Sequence, residues 1–206
     1  MSFHATSTVL GWTAVTLGVF STVAQHRRAK TIGIEGVSLA TWVMFVMLGL
    51  FWISYGLTVH SWIIVMGSLI VLPLQLAIVF RLQPWKRWNV SLRCLTFFVF
   101  FCVVPTVLWG WAAGVLGAGL AMLGNRAPQI IELVRHRGAT GVSVGGWLLS
   151  VGCTSLWIGY YVGFHMWAAL TATSFACAAS IAIAMLAGWR HRQNRENLIR
   201  NVVFAV

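Results

Sequence analysis

Of the 206 residues, 59% are hydrophobic and only 8% charged, whereas roughly a quarter of the residues in a soluble domain are charged. So little charge cannot cover a water-facing surface, and lipid is the expected solvent. The 14 Lys and Arg against 3 acids do not point to nucleic acid, because they sit in short clusters between apolar runs; anionic headgroups of the lipid bilayer are the expected counter-charge.

A bilayer core about 30 Å thick takes roughly 20 helical residues to cross, and apolar stretches of that length recur along the chain. The N-terminus lacks the basic start of a cleavable signal, so the first predicted helix, about Thr6 to Ala24, is taken as a span ending at the cluster Gln25, His26, Arg27, Arg28 and Lys30. Beyond Gly33 and Gly36, the second runs from Val37 to about Leu57, with the Ser38 hydroxyl placed to cap its first turn. The third covers Trp62 to about Leu82 and should kink at Pro73, which removes a backbone donor. A basic loop from Arg81 to Arg93 leads to the fourth, about Cys94 to Leu108, whose Phe97, Phe98, Phe100 and Phe101 read as lipid-facing.

The fifth predicted helix follows a turn at Gly110 and continues past Pro128 to about Val134, with Gly114, Gly117, Ala118, Ala121 and Gly124 predicting close helix contacts. Arg135 and Arg137 end it. The sixth spans about Val142 to Gly163, the seventh about Met166 to Gly188, and Arg190, Arg192, Arg195 and Arg200 form a basic tail. Every basic residue except Arg126 then falls on one side, which the positive-inside bias makes cytoplasmic, with the N-terminus outside and the plasma membrane as the expected location. Cys94, Cys102, Cys153 and Cys177 show no ligand spacing and read as packing residues.

An internal duplication organises these elements. At an offset of 105 residues, Gly36, Val37, Ser38, Trp42, Val46, Trp52, Ile53, Tyr55, His60 and Trp62 fall on Gly141, Val142, Ser143, Trp147, Val151, Trp157, Ile158, Tyr160, His165 and Trp167. Each copy holds three helices, so a copy following directly would stand upside down; the fourth helix restores the orientation. The expected fold is an all-α membrane protein of seven helices, two parallel three-helix bundles joined by a linker helix in a 3+1+3 order. The divisions are residues 1–83 for the first bundle, 84–110 for the loop and linker helix, 111–189 for the second bundle and 190–206 for the tail.

Pro128-Gln129 at a helix end, then a basic loop, Gly141-Val142-Ser143, Trp147, and Trp157 three residues before Tyr160 resemble the PQ-loop repeat. The superfamily includes SWEET sugar transporters and lysosomal amino-acid exporters. The first copy departs from it, with Ala24-Gln25 in place of Pro-Gln, and its second helix, like the sixth, has no proline. Where sugar-carrying members place cavity asparagines on the third helix of each triplet, this chain has Ser68 and Thr173.

The resemblance places Trp52 and Trp157 against a central substrate, although tryptophans also anchor helices at the interface. Ser68 and Thr173 would offer hydroxyls there, unless they bond back to their own helices. Pro128, Gln129 and Gln25 are the expected hinge, and Tyr55 and Tyr160 the expected gate or a section of an aromatic belt. His60 and His165 read as inherited turn residues or as an outer lock. Glu132 has Arg135 and His136 at helical spacing, and Arg126 either snorkels inward or lines the inner vestibule with Asn125 and Gln129.

The chain has no aspartate, and Glu35, Glu132 and Glu196 all lie near the inner surface, so no buried proton relay is available. Neither a phosphate loop nor a hydrolase constellation occurs, so no enzymatic activity, cofactor or metal is expected. The function expected is a facilitative uniporter of a small neutral solute, a mono- or disaccharide, by alternating access. The alternatives are export of an amino acid or other metabolite, or a non-transporting receptor or scaffold; homo-oligomerisation is left open.

Overall fold

A computed structural model describes residues 3–135 and 141–203, and every regular element among them is helical. The elements are α1 (Phe3–Thr31), α2 (Leu39–Thr58), α3 (Trp62–Leu69), α4 (Leu72–Arg81), α5 (Trp88–Phe98), α6 (Val104–Trp109), α7 (Trp111–Gly124), α8 (Ala127–Arg135), α9 (Val144–Gly163) and α10 (Trp167–Val203). A 3₁₀ turn, Pro84–Arg87, precedes α5, and a π turn, Val99–Val103, joins α5 to α6.

Among the described residues, five helical stretches are long and apolar enough to cross a membrane: His4–Thr31, Leu39–Thr58, Trp62–Arg81, Pro84–Trp109 and Trp167–Glu196. The chain is therefore an all-α protein built for a membrane. Glycine, serine, tyrosine and tryptophan dilute the 20-residue α9, and α7 stops after 14 residues.

Proline positions explain the breaks. Pro73 sits in the first turn of α4, and the helix gives way just before it, between Leu69 and Leu72. Pro105 has no N–H to donate, and the π turn one residue ahead of α6 absorbs the lost register. Pro128 likewise stands in the first turn of α8, so the fifth predicted helix is two helices with a turn at Asn125 and Arg126. The carbonyls released by that turn are reused: Asn125 O accepts from Thr41 Oγ1 at 2.6 Å, and Met122 O from Arg126 Nη1 at 2.8 Å.

Helix ends differ most from expectation on the basic side. α1 runs through its basic cluster to Thr31, because Arg and Lys are good helix formers and suit a C-terminal turn. α10 continues to Val203, so Arg190 is no tail residue. Its guanidinium donates to Leu133 O at 2.9 Å and Val134 O at 2.7 Å, capping the C-terminal turn of α8. His136 and Arg137, assigned to this side by sequence, and the Arg200 side chain lie outside the described residues.

Packing forms a closed ring. α3 and α4 lie between α1 and α2, α10 lies between α7 and α9, and the ring closes where α1 packs on α9 and α2 on α7 and α8. In each copy, then, the third helix of the triplet stands between the first two. The segment from α5 to α6 rides outside, against α2 and α7.

That outer helix is only half lipid-facing. Phe100 is 65% exposed, but Phe97, Phe98 and Phe101 pack against the core. α7 admits it through glycines, since a Cβ on Gly117 would collide with the Phe101 carbonyl and one on Gly114 with the Thr106 side chain. Gly117→Ala should accordingly destabilise the detergent-solubilised protein by about 1–3 kcal/mol, the usual cost of overpacking. Gly188→Ala, with nothing within 4 Å of the added carbon, should be neutral or slightly stabilising through helix propensity. Thermal unfolding of both variants measures the difference.

Candidate functional site

Each copy begins with a helix, a glycine-containing loop and a serine that starts the next helix. Ser38 accepts from Thr41 N at 3.4 Å and Ser143 from Gly146 N at 3.0 Å, so both act as N-caps. In a capping box, Glu or Gln three residues on would take the cap's own N–H, but those positions are Thr41 and Gly146. The missing acceptor comes from the opposite copy.

Gln25 Oε1 accepts from Ser143 N at 2.9 Å while its Nε2 donates to Gly141 O at 2.8 Å. Gln129 Oε1 accepts from Ser38 N at 3.0 Å while its Nε2 donates to Gly36 O at 2.5 Å. One turn earlier the pattern repeats, with Ser21 Oγ donating to Gly146 O at 2.6 Å and Thr41 Oγ1 to Asn125 O at 2.6 Å. The loops themselves touch: Gly141 N donates to Glu35 O at 3.0 Å, and a Cβ on Gly141 would come within 2.6 Å of the Gly33 and Glu35 carbonyls. Both glutamines assigned to a hinge by sequence are buried cross-copy clamps, and no helix break occurs at Gln25.

At the opposite end, Tyr160 and Ser61 share a hydroxyl hydrogen bond of 2.9 Å between the copies. The equivalent of Ser61 in the second copy is Met166, which has no hydroxyl, so Tyr55 cannot mirror the bond. It packs on Trp111, ring centroids 5.8 Å apart. His60 and His165 take left-handed conformations, φ 53° and 54°, and close matching turns in which Ser61 N reaches Gly56 O and Met166 N reaches Tyr161 O. Their position is that of helix-terminating residues.

Between these two ends lies a cavity of about 190 Å³, lined by α1, α2, α3, α4, α7, α9, α10 and Arg126. Trp52, Trp157, Ser68 and Thr173 all line it. Neither hydroxyl bonds back to the carbonyl one turn earlier in its own helix, as those of Thr154, Thr171 and Ser174 do.

Sequence comparison between the copies misses two of the remaining rings, Tyr161 and Phe45. Tyr161 stacks on both tryptophans, with centroids 6.4 Å from Trp52 and 5.5 Å from Trp157 and planes 22° and 21° apart. Its counterpart in the first copy is Gly56, so a search for identities passes over it. Towards the basic end a second layer joins Trp42, Phe45 and Trp147, with centroid distances of 5.3 and 6.4 Å. Ten residues of α2 separate Trp42 from Trp52, about 15 Å of helix rise. The signal for the second layer is present in the sequence, because Trp42 and Trp147 are themselves a repeat pair.

Arg126 enters beside this second layer. It is 2% exposed, donates from Nε to Ser180 Oγ at 3.0 Å and from Nη1 to Asn125 Oδ1 at 3.2 Å and Met122 O, and lies 5.3 Å from the Phe45 ring centroid. It lines the cavity instead of snorkelling. Gln75 lines it too, with Oε1 buried and unbonded. Among the described residues no group of three His, Cys, Asp or Glu could hold a metal, and all four cysteines are free thiols.

Removing either clamp strands a buried loop N–H and carbonyl, at about 1–3 kcal/mol for each unsatisfied group. Gln25→Leu and Gln129→Leu should therefore each lower stability by several kcal/mol in equilibrium unfolding in detergent. Gln25→Glu should also destabilise despite its shape, because a carboxylate oxygen would face the Gly141 carbonyl.

No protein-family model, curated protein or solved structure matches this chain.

Proposed function

We propose that the chain is a facilitative transporter that carries one small solute at a time across a membrane by alternating access. One observation carries the reading: a cavity lined from both copies of the repeat lies between two ends at which the copies are joined by hydrogen bonds. Solute reaching such a cavity has to open the contacts at one end while those at the other stay closed.

On this reading α7 with α8, and α9, add to the five long apolar helices to make seven crossings in the 3+1+3 order, with the basic side cytoplasmic in the plasma membrane. The resemblance to the PQ-loop and SWEET repeats supports the same assignment. The cargo is a single-ring solute such as a monosaccharide: about 190 Å³ is well below the roughly 300–1,000 Å³ of pockets for drug-sized ligands, too small for a disaccharide in this conformation. Trp52, Tyr161 and Trp157 supply stacking surface, and Ser68 and Thr173 supply hydroxyls. An amino acid or other small metabolite is the second reading, favoured by the buried guanidinium of Arg126.

Purified protein in proteoliposomes, offered labelled monosaccharides and amino acids, should show saturable flux of at least one class. Trp157→Ala should cut that flux roughly tenfold, the equivalent of about 1.4 kcal/mol. Trp62→Ala, at a side chain 67% exposed, should leave it unchanged. Absence of flux for every solute from protein that still unfolds cooperatively would remove the transporter reading.

A further inference from the structure

Among the described residues, Arg126 is the one cation that lines the cavity, and no acid lines it. The guanidinium is 2% exposed, and each of its acceptors, Ser180 Oγ, Met122 O and Asn125 Oδ1, is neutral. A buried charge left without a counter-charge is costly in a protein interior and more so within a membrane, and is retained where something pairs with it. Nε and Nη1 are occupied by those acceptors, whereas Nη2 has no protein acceptor among the described residues. The two N–H groups of Nη2 remain to donate charge-assisted hydrogen bonds to a carboxylate.

With Gln25 aligned on Gln129, one residue off the 105-residue register of the later identities, the equivalent position in the first copy is Thr22, which also lines the cavity and returns its hydroxyl to Gly18 O at 2.9 Å. The charge is thus a feature of one copy only and does not come from the duplicated framework. The Phe45 ring lies 5.3 Å from it, and Ser21 and Ser150 line the same cavity.

We infer that the cargo of this cavity is a small solute bearing one carboxylate, with the carboxylate held by Arg126 and the body of the molecule towards Trp52, Tyr161 and Trp157. The inference rests on the transporter reading and changes its cargo from a neutral monosaccharide to an anionic or zwitterionic solute. An amino acid and a non-amino carboxylic acid share the required group.

Glucose and glucuronate share a ring and differ by the carboxylate, and alanine and lactate add the small zwitterion and the small hydroxy acid. Binding to the purified full-length protein, read by tryptophan fluorescence and thermal shift, and flux into proteoliposomes should both favour the carboxylates. Glucuronate should exceed glucose by at least tenfold, or alanine or lactate should be carried where glucose is not. Arg126→Gln should remove that preference, and Arg126→Lys, which keeps the charge without the fork, should retain some of it if the Gln variant fails to fold. Alanine above lactate assigns the zwitterion, and lactate or glucuronate above alanine the simple acid.

Transport of glucose with no response to any carboxylate would overturn the inference and leave the transporter reading standing. A preference that survives unchanged in Arg126→Gln would overturn it as well. No flux and no binding for any of the four would remove both.

Discussion

Everything at the basic end depends on Gln25 and Gln129, each closing the helix cap of the other copy. A loop buried between apolar helices has no water to satisfy its backbone, and each unmet group costs as much as a lost hydrogen bond or more. Here the N–H of each capping serine and the carbonyl of each preceding glycine are met by one side chain 91 to 118 residues away in sequence. Neither half can satisfy its own loop. Duplication with exchanged caps makes the two halves one cooperative unit, because separating them exposes four backbone groups together with the Gly141 and Glu35 contact.

On this symmetric frame the differences between copies stand out, and they fall around the cavity. Tyr161 replaces Gly56, Phe45 replaces Ser150, Arg126 replaces Thr22, and Ser61 has its hydroxyl where Met166 has none. Each aromatic layer is a repeat pair of tryptophans completed by a third ring from one copy only. Gly56 could not have carried a ring, because a Cβ there would lie 2.9 Å from the Val65 side chain and 3.0 Å from its backbone nitrogen. The frame and the two tryptophan pairs are thus duplicated, while the third rings and the charge that face the cavity are not.

Composition and periodicity are enough to give an all-helical membrane chain, the phased identities give the pairing of Trp52 with Trp157, and the resemblance to the PQ-loop repeat singles out Ser68 and Thr173. Lining residues can be read because they repeat. Tyr161 cannot, since it is a departure from the repeat, and the partners of Gln25 and Gln129 cannot, since nothing local encodes a bond spanning a hundred residues. Sequence places the basic-side ends of α1 and α10 too early, because a change from apolar to basic marks where lipid stops and not where helix stops. Pro128 is legible as a break, but its effect lies upstream at Asn125 and Arg126, where its ring and missing N–H disrupt the turn before it.

The two clamps make the same bonds but have unequal backing. Gln25 is carried on α1, 29 residues without interruption, so moving it means tilting a whole helix. Gln129 is carried on α8, nine residues set off by the Asn125 and Arg126 turn, so it can swing with that short segment. Arg126 is the turn residue itself, and its guanidinium ties the turn to Met122 O and Asn125 Oδ1 while facing the cavity. A ligand shifts a conformational equilibrium only by the difference in its interactions with the two states. A carboxylate bound at Nη2 acts on the same guanidinium that braces the last turn of α7, and through it on the support of α8 and the Gln129 clamp. Under the proposed transport cycle, the charge of the cargo and the release of the basic end then meet at one residue.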